Sequence, residues 1–165
     1  MITVRLHRRE DIPYRVKWMN NPKVNKFIGD RLGSKTTLKE QTVWFSNYQK
    51  DKTKKFFTIC DQKKPIGFMG LKNISKENRN AELFILIGED NYRGKGIGKI
   101  AMQWLLNYGF QKCKLHKINL GVIKDNIPAV KLYKSLGFKI EGVMKDEVCS
   151  NGRYYDFLSM AIFEK

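Results

Sequence analysis

Acidic residues are scarce in this chain. Asp and Glu together number 16 against 32 Lys and Arg, a formal excess of +16 over 165 residues. Such a field repels cationic targets and draws polyanions such as nucleic acid, ribosomes or nucleotides. The lysines are scattered among Asn and Ile, as a compositional habit would scatter them. The densest run, Lys50 to Lys55, lacks interleaved aromatics, which argues against a dedicated nucleic-acid surface. Cysteine is also rare. Cys60, Cys113 and Cys149 are odd in number and widely spaced, so neither a zinc pattern nor an even disulfide set is expected, and no metal. A reducing, cytoplasmic setting is the simplest reading. No apolar run approaches the ~18 residues that span a bilayer. Met1 to Arg9 alternates and carries charge, so no secretory leader is expected. With no repeat, low-complexity segment or Pro/Gly linker, residues 1–165 read as one domain.

What is present is a regular alternation of element signals. Ile2 to Leu6 alternates as a strand, and Glu10 to Met19 reads as a short helix broken by Asn20-Asn21-Pro22. Thr37 with Glu40 three residues on is a capping-box signature for the helix carrying Gln41, Trp44, Phe45 and Tyr48. Lys55 to Cys60 and Ile66 to Leu71 suggest a hairpin. Ala81 to Ile87 is nearly all apolar, as a strand covered on both faces should be. A helix is expected from Gly96 to about Lys114, with Ile97, Ile100, Ala101, Trp104, Leu105 and Tyr108 on its stripe. Ile118 to Val122 follows as a parallel crossover partner. A further helix starts after Asp125-Asn126 and ends at Gly137, and a strand pair closes the chain around Asn151-Gly152. The expected fold is α/β (α+β), a mixed, mostly antiparallel sheet of about seven strands flanked by about four helices.

The chemistry sits between the apolar strand and the long helix. Asn91-Tyr92-Arg93-Gly94-Lys95-Gly96-Ile97-Gly98-Lys99 places three glycines in five residues. Glycine admits positive φ and close ligand approach. The helix's first turn offers unpaired N–H groups and a positive dipole end, a phosphate site. Arg93, Lys95 and Lys99 add charge beside it. The spacing is G-x-G-x-G, so it matches neither the dinucleotide fingerprint G-x-G-x-x-G nor the G-x-x-x-x-G-K-[ST] loop.

Arg93-x-x-Gly96-x-Gly98, followed by the gapless segment Asn126 to Phe138 with its Asn, Tyr133 and Gly137-Phe138, resembles the GNAT superfamily of acyl-coenzyme A N-acyltransferases. The resemblance covers essentially the whole chain. Trp18 to Val24 and Asn151 to Asp156 look like the branch of ribosomal-protein N-terminal, spermidine and amino-sugar acetyltransferases. It implies acetyl-coenzyme A as acetyl donor. The backbone of Ile85, Leu86 and Ile87 would pair with pantetheine, with an N–H near Leu86 polarising the thioester. Backbone from Gly94 through Lys95, Gly96, Ile97 and Gly98 to Lys99 would hold the pyrophosphate. Asn126, with Ala129 and Tyr133 on the same helix, would bind the pantetheine arm.

Acetyl transfer to an amine needs a neutral amine, and an alkyl ammonium has a pKa of about 10. Glu82 is the carboxylate inside the central strand. It reads either as general base, through water, or as one half of a salt bridge, for instance to Arg79. Glu40, Asp146 and Glu147 are reserve bases, and His116 is a base by residue type only. Tyr133 reads as hydrogen-bond donor to the leaving sulfur or as a core tyrosine. The acceptor is expected against Trp18, Asn20, Asn21, the Glu40–Trp44–Tyr48 helix face and the Asp146 to Asp156 hairpin. The resemblance and the positive charge lean toward a nucleotide-linked 4-amino sugar. Nα-acetylation of a ribosomal or other protein is the alternative, and a non-catalytic coenzyme A sensor is the alternative of another class. Homodimers are common among look-alikes, although no stripe here marks an interface.

Overall fold

The computed structural model describes residues 1–28 and 35–165. Among them are seven strands and five helices: β1 (Ile2–Leu6), α1 (Ile12–Met19), α2 (Pro22–Asn25), α3 (Leu38–Lys50), β2 (Lys55–Asp61), β3 (Lys64–Ser75), β4 (Asn80–Ile87), α4 (Ile97–Asn107), β5 (Lys117–Ile123), α5 (Ile127–Ser135), β6 (Lys139–Ser150) and β7 (Arg153–Phe163). The strands form one sheet in the order β1-β2-β3-β4-β5-β7-β6. Only β4 and β5 run parallel, and the other neighbours are antiparallel. The expected sheet is therefore the observed one.

The helices differ from expectation at two places. Asn20-Asn21 does break α1, but Pro22 then opens the short α2, whose N-cap is Asn21 accepting from the Lys23 N–H at 3.0 Å. Proline suits that first position because its missing N–H would have no partner there. The long helix stops as an α-helix at Asn107 and continues as a wider π-turn over Tyr108–Lys112. Gly109 lies in that turn, and a methyl group there would meet Ile118 Cδ1 at 2.6 Å. The helix packs onto β5 at glycine distance, which its apolar periodicity does not reveal. The buried residues of α4 are Ile97, Ala101, Met102, Leu105 and Leu106, so the stripe is rotated away from Ile100 and Trp104, both partly exposed.

The sheet separates two cores. On one face Phe57, Met69, Leu71, Leu83 and Ile118 pack with α4. On the other, Trp18, Phe45, Phe56 and Phe68 lie under α1 and α3. Trp18 has 0% exposure. Gly88, just past β4, lies so close that a Cβ there would fall 2.1 Å from the indole ring. Because a fully enclosed indole has nowhere to go, Gly88→Ala should cost at least roughly 1–3 kcal/mol. A shift of the urea midpoint without change of slope would measure it.

The second core also encloses a polar chain. Arg5 clamps Asp11 with two bonds of 2.7 Å, the Thr58 hydroxyl donates to Asp11 Oδ2 at 2.7 Å, and His7 Nδ1 lies 2.8 Å from Thr58 Oγ1. Since the Thr58 proton is committed to Asp11, His7 donates from Nδ1 and its lone pair sits on Nε2. Burial pushes the Asp11 carboxyl up, but the bonds from Arg5, the Arg8 N–H and Thr58 outweigh it and hold the group below its ordinary range. For His7, burial and then the nearby Arg15 charge drive the pKa from 6.5 to about 3. The unfolded chain then binds the extra proton first as pH falls below 6.5. Stability is full above that pH and is lost on acidification toward the folded value. Wild-type unfolding free energy should drop between pH 6.5 and 4, and His7→Gln should flatten that slope.

Candidate active site

The β4–β5 ladder is short. Its pairs are Asn80 with Lys117, Ala81 with Ile118 and Glu82 with Asn119. Beyond Glu82 the strands splay, while β5 stays paired to β7 along its whole length and β4 stays paired to β3. The geometry decides which backbone groups are left open. The Gly88 N–H donates to the Ile66 carbonyl at 2.9 Å and the Arg79 carbonyl accepts from Lys117 at 3.1 Å. By the alternation of an antiparallel ladder, even-numbered residues of β4 bond to β3 and odd-numbered ones face β5. The open edge therefore belongs to Ile85 and Ile87, whereas the N–H and C=O of Leu86 turn to β3.

The splay opens a cleft of about 750 Å³ whose wall includes Ile85, Leu86, Asn126 and Tyr133. Asn126 caps α5 by accepting from the Ala129 N–H at 3.4 Å. Tyr133 is buried, and burial raises its phenol to about 12. At the end of the β4 edge stands the glycine loop. Gly94 and Gly96 have φ of 72° and 78°, and Gly96 is the N-cap of α4. A Cβ at either glycine would meet no atom within 4 Å, while one at Gly98 would press Leu132 at 3.3 Å. The open space lies over the loop and the tight packing beneath it, as a phosphate cradle requires. Ile97, Gly98 and Lys99 form the first turn. Lys95 and Lys99 are exposed, and Arg93 is ion-paired with Asp90. An open strand edge, a glycine cradle at a helix N-terminus and a cleft between them fit an extended diphosphate such as coenzyme A.

The acceptor wall differs from the sequence reading. The Trp18 indole N–H donates to Glu89 at 2.8 Å, and the same carboxylate takes Lys17 at 2.6 Å. Asn20 clamps the Thr36 backbone through both its amide atoms, at 2.9 and 2.8 Å. Asn21 donates to Asp90 at 3.0 Å, and Asp90 also holds Lys23 and Arg93. Glu40 caps α3 through the Thr37 N–H at 2.8 Å. Trp18 and Asn21 thus tie α1 and the start of α2 to the approach of the phosphate loop, Asn20 and Glu40 hold the entry to α3, and none of the four lines the cleft. Trp44 does line it, stacked on Phe56 and Tyr48. Glu82 is in the wall too, bonded to Lys72 at 2.8 Å across the β3–β4 register, while Arg79 pairs with Glu164. His116 lies just before β5, away from the cleft, edge-on to Phe163. Missed by the sequence reading are Arg15, whose guanidinium lies 3.9 Å over Trp44, and the cleft residues Phe68 and Phe84.

No helix among the described residues is long and apolar enough to cross a membrane. Residues 4–159 match the family described as acetyltransferase (GNAT) domain. Spermidine N(1)-acetyltransferase of Escherichia coli K12 is 30% identical over 99% of this chain and 86% of its own. Acetyltransferase PseH of Campylobacter jejuni strain 81-176 is 28% identical over 83% of this chain and 82% of its own. The crystal structure of spermidine N-acetyltransferase from Vibrio cholerae in complex with coenzyme A and spermine superposes with a TM-score of 0.91 at 30% identity, covering 98% of this chain and 95% of that one. The open β4 edge, the glycine cradle and these matches agree: the chain belongs to the GNAT family of N-acetyltransferases.

Proposed function

We propose that the chain transfers the acetyl group of acetyl-coenzyme A to the primary amine of a nucleotide-linked amino sugar, by direct attack with both substrates bound. Acetyl-coenzyme A, when bound, supplies the acetyl group as a thioester. The Ile85 and Ile87 backbone pairs with the pantetheine arm, and an outward N–H there donates to the thioester carbonyl as charge develops on it. Asn126 orients the same arm. The first turn of α4, with Lys95 and Lys99, holds the pyrophosphate. The Tyr133 hydroxyl donates to the departing sulfur. A cleft carboxylate takes the ammonium proton through water, the role read for Glu82, which Lys72 holds in place at 2.8 Å.

One observation carries the acceptor class. The charges of the cleft among the described residues cancel, Arg15 and Lys72 against Glu82 and Glu147, and the rest of the wall is largely aromatic and aliphatic. A polyamine carries several positive charges and wants an acidic mouth. A nucleotide-linked sugar brings one ammonium, a stackable base and phosphates, which suits this wall on a chain of +16. The named relatives favour a second reading, spermidine. Incubation with acetyl-coenzyme A and, in turn, UDP-linked 4-amino sugars, spermidine and protein N-terminal peptides, followed by free-thiol release, decides between them. Turnover with the sugar nucleotide at least tenfold above the others is expected. Turnover with spermidine and none with the sugar would replace this reading by the second.

A further inference from the structure

Among the described residues the cleft has two carboxylates, Glu82 and Glu147, and their situations differ. Glu82 is neutralised by Lys72 at 2.8 Å and also accepts from Asn73 at 3.3 Å. Glu147 has no ion pair or hydrogen bond among the described residues and lines the same cleft. Its place there is constructed by an irregularity of the hairpin. Met144 faces Phe157 and Val148 faces Tyr155, so Lys145, Asp146 and Glu147 together oppose the single residue Asp156. Asp146 takes the left-handed conformation, φ 51°, to accommodate them.

Asp156 pins this bulge from beneath. Its carboxylate accepts from Lys145 at 2.8 Å, from the Asp146 N–H at 3.3 Å and from Lys124 at 3.5 Å. The bond from Lys145, followed by the Asp146 N–H, holds the Asp156 carboxyl below its ordinary range, so it stays ionised. Bulges re-aim side chains beside active sites. Here the strand departs from its ladder, a half-buried, triply bonded anchor fixes the departure, and the outcome is an unengaged carboxylate on the wall of a cleft that must receive an ammonium.

We infer that Glu147 is the residue that holds the acceptor's ammonium group, and that Asp156 is a positioning residue acting through the bulge. The assignment rests on the acetyl-transfer reading above. It deepens that reading by choosing between the two carboxylates. A charge-assisted bond from the ammonium fixes the nitrogen within the cleft before its proton leaves by way of water.

The test compares wild type, Glu147→Gln, Glu82→Gln, Asp156→Asn and Glu141→Gln, with a UDP-linked 4-amino sugar and spermidine as separate acceptors. Glu141 pairs with Lys117 at 2.7 Å outside the cleft and serves as the charge-matched control. Glu147→Gln should raise the acceptor KM about 10- to 100-fold with the acetyl-coenzyme A KM unchanged. Asp156→Asn should move the acceptor KM the same way by less, again without touching the acetyl-coenzyme A KM, a split that general destabilisation would not produce. An unchanged acceptor KM in Glu147→Gln overturns the assignment, as does a rise confined to Glu82→Gln. If wild type releases no thiol with either amine or with the protein N-terminal peptides, the acetyl-transfer reading fails and the assignment falls with it, an outcome distinct from the other two.

Discussion

Replacing Gly96 by valine is expected to abolish acetyl-coenzyme A binding while the protein stays folded. Gly96 holds a φ of 78° at the N-cap of α4, a conformation that costs an L-residue roughly 1–2 kcal/mol. That penalty is a fraction of the ~5–15 kcal/mol typical of a domain, so the fold should survive. The larger effect is local. The space above Gly96 holds no protein atom within 4 Å of a new Cβ, and in the proposed binding mode it is where the diphosphate comes close to the backbone. A branched side chain fills that space and tilts the first-turn N–H groups away from their common target. The dissociation constant measured by calorimetry should rise at least about 100-fold, a loss of roughly 2.7 kcal/mol. Gly152→Val separates strain from function. Gly152 has a φ of 75° in the β6–β7 turn, so it should lose similar stability and keep its affinity. If Gly96→Val binds within a few-fold of wild type, the cradle has been placed wrongly.

Tyr133→Phe should lower kcat by roughly 10²–10⁴, the range associated with a positioned proton donor, with coenzyme A affinity nearly unchanged. The ring packs beside Phe138 and only the hydroxyl is removed. Burial sets the phenol at about 12, above a thiol at about 8.5. Full proton transfer to a thiolate is therefore uphill, and in the proposed role Tyr133 would act mainly as a neutral hydrogen-bond donor to the developing charge. Its ionisation puts no limb on the rate profile below about pH 10. The sign for stability follows: the unfolded phenol ionises near 10 and the folded one resists, so this contribution is intact below pH 10 and lost as pH rises toward 12. An alkaline rate limb below pH 9 that vanishes in Tyr133→Phe would contradict the assignment, as would a kcat within twofold of wild type.

What could be read from the sequence was whatever is local. The glycine loop announces itself because positive φ at Gly94 and Gly96 needs glycine, whereas Asn126 was legible only through the family resemblance of the segment it opens. The strand and helix order follows from periodicity. The acceptor side depends on partners far apart in the chain. Trp18 and Glu89 are 71 residues apart, and Asn21 and Asp90 are 69. Polar and aromatic residues in a loop look alike whether they face a ligand or tie one element to another. The Met144 to Val148 bulge exists only in the register with β7, so nothing in Lys145-Asp146-Glu147 alone singles out Glu147 above its neighbour. Glu82 was legible as a charge that needs a reason. Its partner proved to be Lys72, directly across the β3 ladder, and not Arg79. The chain of Arg5, Asp11, Thr58 and His7 left no sequence signal, because each residue is ordinary where it stands.

The splay of β4 from β5 has a consequence for the free protein's amide exchange. In a continuous sheet every N–H along β4 would be slow to exchange, for each would be bonded on one side or the other. Here the slow and fast amides should alternate residue by residue: Phe84, Leu86 and Gly88 protected by β3, Ile85 and Ile87 open to solvent within the same strand. A bound pantetheine arm would silence the fast set and leave the slow set as it was. The thermodynamic counterpart is a gain in fold stability that grows with the logarithm of ligand concentration. In the proposed binding mode the donor substrate would be, to the sheet, the missing half of a ladder.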